Sequence, residues 1–179
     1  MGRQSKGPIP KDPVALGFDL STTSTGWAIY KRGRAYDWGV IAPPGRHTTD
    51  RLPAMRAGLQ AVIINTLEAW GPVVIVGVEA PFVRGAGSRG LIQVRGHLDE
   101  LCRSFINLDP LEIAPTAIKK WATGTGSATK NQMVTAAQKH TQGAGPAPDE
   151  HDQADAIVIA AWAWDQYTRG TETKETRNQ

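Results

Sequence analysis

The sequence predicts an α/β domain: a mixed five-stranded sheet, opened by three antiparallel strands and flanked by helices on both faces. Three observations predict it. Short runs rich in β-branched and aromatic residues, joined by tight polar links, occupy residues 14–41. A nearly continuous apolar run at 72–80 has the composition of a central strand covered on both sides. Stretches with helical spacing separate the later strands and close the chain. At 179 residues and 40% hydrophobic content, one well-cored domain accounts for the chain. It is assigned to 14–167, with a basic flexible tail at 1–13 and a polar disordered tail at 168–179.

Residues 14–20, VALGFDL, form an apolar run between Pro13 and the polar cluster Ser21-Thr22-Thr23-Ser24-Thr25. This is the pattern of a buried strand ending in a turn, with Asp19 at its end. GWAIYK at 26–31 and AYDWGVI at 35–41 read as the next two strands, and Arg32-Gly33-Arg34 between them is a hairpin signal. Beyond the Pro43-Pro44-Gly45 loop, Leu52, Met55, Leu59, Val62, Ile63 and Leu67 recur close to helical spacing. Residues 51–69 therefore cross over as a helix, which Gly71-Pro72 stops. The fourth strand, 72–80, ends in a carboxylate, Glu79. A glycine-rich, mobile segment at 84–90 precedes a helix at 91–105, and LEIA at 111–114 is a short fifth strand. Pro115 opens a helical turn through Trp121, Gly124 and Gly126 make a loop, and the next helix starts with Thr129 as its cap. Residues 149–167, DEHDQADAIVIAAWAWDQY, read as the last helix, with acids in its first turns and apolar residues behind them.

Composition excludes several function classes. No apolar run approaches the length of a bilayer span, and MGRQSKGPIPKDP has no hydrophobic signal stretch. The expectation is a soluble, cytoplasmic protein without a membrane partner. The single cysteine, Cys102, excludes an internal disulfide and a cysteine-built metal site, which leaves oxygen ligands for any metal; Cys102 itself reads as a buried apolar residue. The net charge of +3 is weak but unevenly spread. Residues 113–148 contain no acid, while Lys119, Lys120, Lys130 and Lys139 all fall there. Such a segment either tracks a phosphate backbone or forms a plain solvated basic face.

Four carboxylates make the chemical candidate. Asp152 and Asp155, three residues apart, share one face of the last helix. Asp19 and Glu79 each end an apolar strand, and neighbouring strand ends of an α/β sheet are a common place to build a site. Brought together, four acids repel and raise one another's pKa unless a cation neutralises them. Magnesium and manganese, hard ions that prefer oxygen, match the donor set. Two such ions ~3.5–4 Å apart suit in-line phosphodiester hydrolysis, one activating water and the other stabilising the leaving oxygen. Taken singly, each acid has a plain structural reading: Asp19 as a turn former, Glu79 as a strand-end charge, Asp152 and Asp155 as partners of the helix dipole. Their joint occurrence favours the site. His151 reads as an exposed first-turn histidine beside it, and Asp149 and Glu150 as cap residues.

With these residues in place, the chain resembles the RuvC-type Holliday junction resolvases, whose fold is RNase H-like, over about 14–164. IAPTAIKKWATGTGSATKNQM at 113–133 resembles that family's apolar strand, Pro-Thr, lysine, Gly-x-Gly-x-Ala and second lysine. FDLSTTSTGWAIY resembles its first strand pair, with Asp19; VEAPF its Glu-x-x-Phe element, with Glu79 and Phe82; and HDQADAIVIA its closing acidic helix, with Asp152 and Asp155. The resemblance implies a homodimer that binds four-way or other branched DNA and nicks opposing strands, leaving 5′-phosphate and 3′-hydroxyl ends. It also implies that Asp19, Glu79, Asp152 and Asp155 hold two Mg2+ ions, with Mn2+ as a substitute and no small-molecule cofactor. Lys119 and Lys130 match motif lysines that contact the scissile region or steady transition-state charge, and Phe82 matches an aromatic that stacks on a base at the junction centre. Arg84 and Arg89 in the glycine-rich loop then meet backbone phosphates, as does Lys120 in the basic segment. The helix at 91–105 is the expected dimer surface, through Leu98 and Leu101. The loop at 43–50 and both tails have no counterpart in the resemblance, which leaves the cleavage sequence open. The compact length suits a phage-infected or bacterial host.

Three rival readings have features of their own. FDLSTTSTGWAIY also resembles the phosphate-binding hairpin of sugar kinases and their ATPase relatives, but those proteins need a second large domain to enclose nucleotide. A junction-binding protein without catalysis would lack one or more of the four carboxylates, and all four are present. An RNA-processing nuclease of the same fold would keep the acids; the Gly-x-Gly-x-Ala-x-Lys segment and Phe82 favour DNA over it.

Overall fold

β-branched and aromatic runs at the start of the chain pair as expected in the computed structural model, which describes residues 12–80, 88–142 and 145–175. In chain order the elements are β1 (Val14–Asp19), β2 (Thr25–Lys31), β3 (Arg34–Ile41), α1 (Thr48–Ala69), β4 (Val73–Glu79), α2 (Ser88–Ile106), β5 (Leu111–Ile113), α3 (Pro115–Thr123), α4 (Lys130–Gln138) and α5 (His151–Glu175). They build one five-stranded sheet in the order β3-β2-β1-β4-β5. The three opening strands are antiparallel, while β4 runs parallel to β1 and β5 parallel to β4. Parallel neighbours need long crossovers, and α1 and α2 supply them. Arg32 and Gly33 both have positive φ, 51° and 83°, which is the backbone of a two-residue hairpin whose twist matches the flanking strands.

Helices cover both faces. On one, Val14, Leu16, Phe18, Val76 and Val78 meet Met55, Leu59 and Ile63 of α1 and Val94, Leu98, Leu101 and Cys102 of α2, all buried. Leu98 and Leu101 therefore belong to the chain's own core, which corrects their expected role in a dimer surface. The apolar stripe of α2 has to cover α1 as well as the sheet, and its exposed large apolar residues are instead Ile92 and Phe105. On the other face, Ala15, Ala28 and Tyr30 pack against α5, with α3 and α4 beside it.

Two boundaries differ from expectation. α2 begins at Ser88, so Arg89 stands in a helical turn rather than in a loop. α5 continues to Glu175, which corrects the disordered tail for 168–175. An Arg169–Asp165 ion pair at 2.9 Å, spaced i,i+4, supports that extra stretch, and the Thr168 and Thr171 hydroxyls donate to carbonyls one turn back. Among the described residues no helix is long and apolar enough to cross a membrane.

Candidate active site

Side chains alternate along a strand, so the parity that sends Leu16 and Phe18 into the α1/α2 core sends Ala15, Gly17 and Asp19 to the opposite face. β4 follows the same rule: Val76 and Val78 face α1 and α2, while Gly77 and Glu79 face α5. β1 and β4 run parallel with Phe18 beside Val78. Asp19 and Glu79 therefore leave adjacent strand ends on the same side of the sheet.

The helix they meet is α5, and it lies directly on strand backbone. A Cβ on Gly17 would stand 2.4 Å from the Ala156 carbonyl oxygen and from the Ala160 nitrogen; one on Gly26 would stand 2.0 Å from the Asp152 carbonyl oxygen. Gly26 is the cross-strand partner of Asp19. Asp152, Ala156, Ala160 and Ala163 recur at helical spacing, with Asp155 on the same stripe, so the small residues that allow the close approach also fix where the two aspartates sit.

The result is a dry corner crowded with acids. Burial raises the pKa of Asp19, and repulsion from Asp155, Glu79 and Asp152 adds to it, carrying the carboxyl from an ordinary 3.8 to about 8. Burial pushes Asp155 up to about 6, with Lys119 pulling the other way, Asp152 raising it, and His151 and Lys130 lowering it. Glu79 is raised by burial and then by Asp155, against Lys119. The Asp155 Oδ1 atom is buried and accepts no hydrogen bond among the described residues. Asp152 is held differently, since the Ser24 hydroxyl donates to its Oδ2. As they stand, no three His, Cys, Asp or Glu side chains among the described residues converge tightly enough to hold one ion. Like charges in a dry site keep apart. An all-oxygen donor set, mutual repulsion and a buried acceptor without a donor together fit a hard divalent cation.

Positive charge opposes this build-up: Lys119 of α3 lowers both Glu79 and Asp155, and Lys130 of α4 lowers Asp155. Their helices are well anchored. Thr129 caps α4, accepting from the Gln132 N–H at 3.3 Å while its own N–H donates to Gln132 Oε1 at 2.8 Å, which sets Lys130 at the first helical position. Trp121 stacks on His140, whose carbonyl accepts from the Ala35 N–H at 2.7 Å, so α3, α4 and the β2–β3 hairpin are tied together. Lys120 is exposed. His151 is only half-exposed and its Nδ1 is buried, a correction that follows from α5 starting hard against β2. Beside it an open cleft of about 270 Å³, lined by Ser24, Val40, Lys130, His151 and Asp152, leads to solvent. Phe82 and Arg84 lie outside the described residues. Ser24 was missed by sequence reasoning, because nothing in the sequence distinguishes it from Ser21, Thr22 or Thr23.

No family model matches the chain. Among curated proteins, the crossover junction endodeoxyribonuclease RuvC of Anaeromyxobacter sp. (strain K) is 33% identical over 154 residues, spanning 82% of this chain and 78% of that protein. The chain belongs to the RuvC family. A second member, from Chloroflexus aggregans, is 31% identical over 152 residues, 82% of this chain and 89% of the relative. Of the solved structures, Thermus thermophilus RuvC superposes with a TM-score of 0.69 at 18% identity, over 88% of this chain and 97% of that one. T. thermophilus RuvC in complex with Holliday junction substrate gives 0.68 at 18% identity, over 87% and 96%. At that identity the structures establish the fold, and it is the RNase H-like fold of RuvC that the resemblance implied.

Proposed function

We propose that this chain is a metal-dependent endodeoxyribonuclease that resolves four-way DNA junctions; its RuvC relatives are named crossover junction endodeoxyribonucleases. The observation that carries the reading is the placing of Asp19 and Glu79 at adjacent strand ends under the first turns of α5, near enough to Asp155 and Asp152 that burial and their repulsion push Asp19 up to about 8. These four acids would hold two divalent ions, Mg2+ with Mn2+ able to substitute, and such ions would supply Lewis acidity for the scissile phosphate and for the attacking water. Lys119 and Lys130 offset the charge of the acids and face the phosphoryl oxygens with positive charge. Ser24 fixes the rotamer of Asp152. Attack in line with the 3′ oxygen leaves a 5′-phosphate and a 3′-hydroxyl. Phe82 stacks on a base at the junction centre, and Arg84, Arg89 and Lys120 contact backbone. Two copies of the chain, related by a two-fold axis like the junction itself, make paired nicks, in the cytoplasm of a bacterial or phage-infected cell.

The test is cleavage of a labelled mobile four-way junction, with linear duplex, flap and single-strand controls, with and without Mg2+, by wild type and Asp152→Asn. Paired, Mg2+-dependent nicks that fall by on the order of a thousandfold in the variant, with junction binding retained, are the expected result. No cleavage of any branched DNA in Mg2+ or Mn2+ would sink the reading.

A further inference from the structure

Most of the described arginines have a partner for their charge. Arg32 pairs with Asp12, Arg56 with Glu100, Arg95 with Asp99 and Glu112, Arg103 with Asp109 and Arg169 with Asp165, while Arg34 lies over the ring of Tyr36. Arg46, Arg51 and Arg89 form no ion pair among the described residues, and they gather in one place. Arg51 donates to the Thr22 carbonyl at 3.4 Å and to the Arg46 carbonyl at 2.8 Å. A Cβ on Gly90, the neighbour of Arg89, would stand 2.6 Å from Thr48 and 2.9 Å from Thr22. The loop before α1, the first turns of α1 and α2 and the β1–β2 turn thus converge around Thr22. The Arg51 Nε atom is buried and has no hydrogen-bond partner among the described residues, and Arg46 and Arg89 are exposed.

Three arginines brought to one patch by these segments repel one another unless an anion joins them, and their planar forks match phosphate geometry. The carboxylate within this cluster is Asp50, and its Oδ2 is engaged by the His47 N–H at 3.1 Å. The N-terminal ends of two long helices add partial positive charge at the same point. The patch also adjoins the acids: Thr22, which Arg51 holds, is two residues from Ser24, which donates to Asp152, a chain span of at most ~7 Å.

We propose that Arg46 and Arg51 extend the backbone contact of Arg89 into a patch that grips phosphates of a duplex arm on the far side of the β1–β2 turn from the carboxylates. The site rests on the junction-cleaving reading above, and it gives a use to the 43–50 loop, which no family motif explains. Because two of its arginines are exposed, the anion arrives from the surface, as an extended polyanion does.

The experiment is fluorescence anisotropy of a labelled four-way junction titrated with wild type, the double variant Arg46→Gln/Arg89→Gln and the control Arg103→Gln, without divalent metal, over a series of NaCl concentrations. Arg51 is left in place because it also braces Thr22. The double variant is expected to bind more weakly and to lower the slope of log affinity against log salt by about two, close to one per arginine, with Arg103→Gln keeping the wild-type slope. Unchanged affinity and slope in the double variant, beside normal wild-type binding, overturns the patch alone. An equal loss in Arg103→Gln also overturns it, by reducing the effect to bulk charge. A wild type that binds no junction overturns the junction reading and the patch with it.

Discussion

The two faces of the sheet are packed by opposite rules. Against α1 and α2 the strands present Leu16, Phe18, Val76 and Val78, met by Met55, Leu59, Ile63, Leu98 and Leu101, so the layers are held apart by large side chains that remove apolar area from water. Against α5 the strands present Gly17, Gly26 and Gly77, met by Ala156, Ala160 and Ala163, and helix backbone touches strand backbone. The thick layer stabilises by volume. The thin one fixes position: only with α5 this close do Asp152 and Asp155 stand beside Asp19 and Glu79. Stability and site geometry are thus assigned to different faces, and mutation should separate them.

The sharpest separation pairs Gly26→Ala with Leu98→Ala. A methyl on Gly26 meets the Asp152 carbonyl at 2.0 Å, a backbone atom that can yield only if the first turn of α5 moves. Overpacking of this kind costs about 1–3 kcal/mol, and a shift near 1 Å in a catalytic group costs on the order of a hundredfold in rate. Leu98→Ala empties a fully buried site on the other face and should cost about 2–5 kcal/mol, lowering Tm by roughly 5–20 °C. Its cleavage rate, assayed well below that Tm, should stay near wild type. Melting curves and single-turnover cleavage on both variants test the comparison; equal rates in the two would mean that the thin face does not set the geometry.

The faces should also differ in their response to pH. In the metal-free protein Asp19 titrates near 8 folded and near 3.8 unfolded, and Asp155 near 6 folded. A raised carboxyl pKa means that the folded state holds its proton more tightly. The contribution to stability is therefore complete below about pH 4 and is lost as pH rises through 6 and on to 8. Metal-free Tm should fall between pH 5 and pH 8, Asp19→Asn should flatten the fall, and saturating Mg2+ should reverse it by binding the ionised acids only in the folded state. Among the described residues the α1/α2 core buries no carboxylate, and Cys102 there is pushed up to about 12 by burial and does not titrate in this range. A flat metal-free profile would show that the acids are not kept dry.

Much of this was legible in the sequence, for identifiable reasons. Each strand was readable because β-branched and aromatic runs were bounded by turn residues. The i,i+3 spacing of Asp152 and Asp155 puts both on one face of α5, and the apolar runs that end in Asp19 and Glu79 put those acids at strand ends. What escaped depended on partners distant in the chain. Leu98 and Leu101 looked surplus because the sequence does not show that α2 must cover α1 as well as the sheet. The glycines against α5 read as nothing special, since close approach is a property of two elements and not of either. The end of α5 read as a disordered tail because it is polar throughout, and the Asp165–Arg169 pair that supports it is too weak a local signal to decide a boundary.

Ser24 is the smallest expected effect and the finest probe of the thin face. It lies in a turn of hydroxyl residues, any of which could have faced α5, and among the described residues it alone donates to a cluster carboxylate. A hydrogen bond to the free oxygen of a ligand carboxylate fixes its orientation, and loss of such a partner costs about 10–100-fold in metal affinity or activity. The turn is braced independently, by the Thr25 hydroxyl donating to the Ser21 carbonyl at 3.0 Å and by the Ser21 N–H donating to Thr25 Oγ1 at 3.1 Å, so Ser24→Ala should leave Tm close to wild type. The variant should need roughly tenfold more Mg2+ for half-maximal cleavage and show a smaller loss at saturating metal, and Ser24→Thr, which restores the hydroxyl, should recover most of the difference. An unchanged Mg2+ requirement in Ser24→Ala would mean that the close approach of α5 alone orients Asp152, which would put the whole burden of positioning on Gly26 and its neighbours.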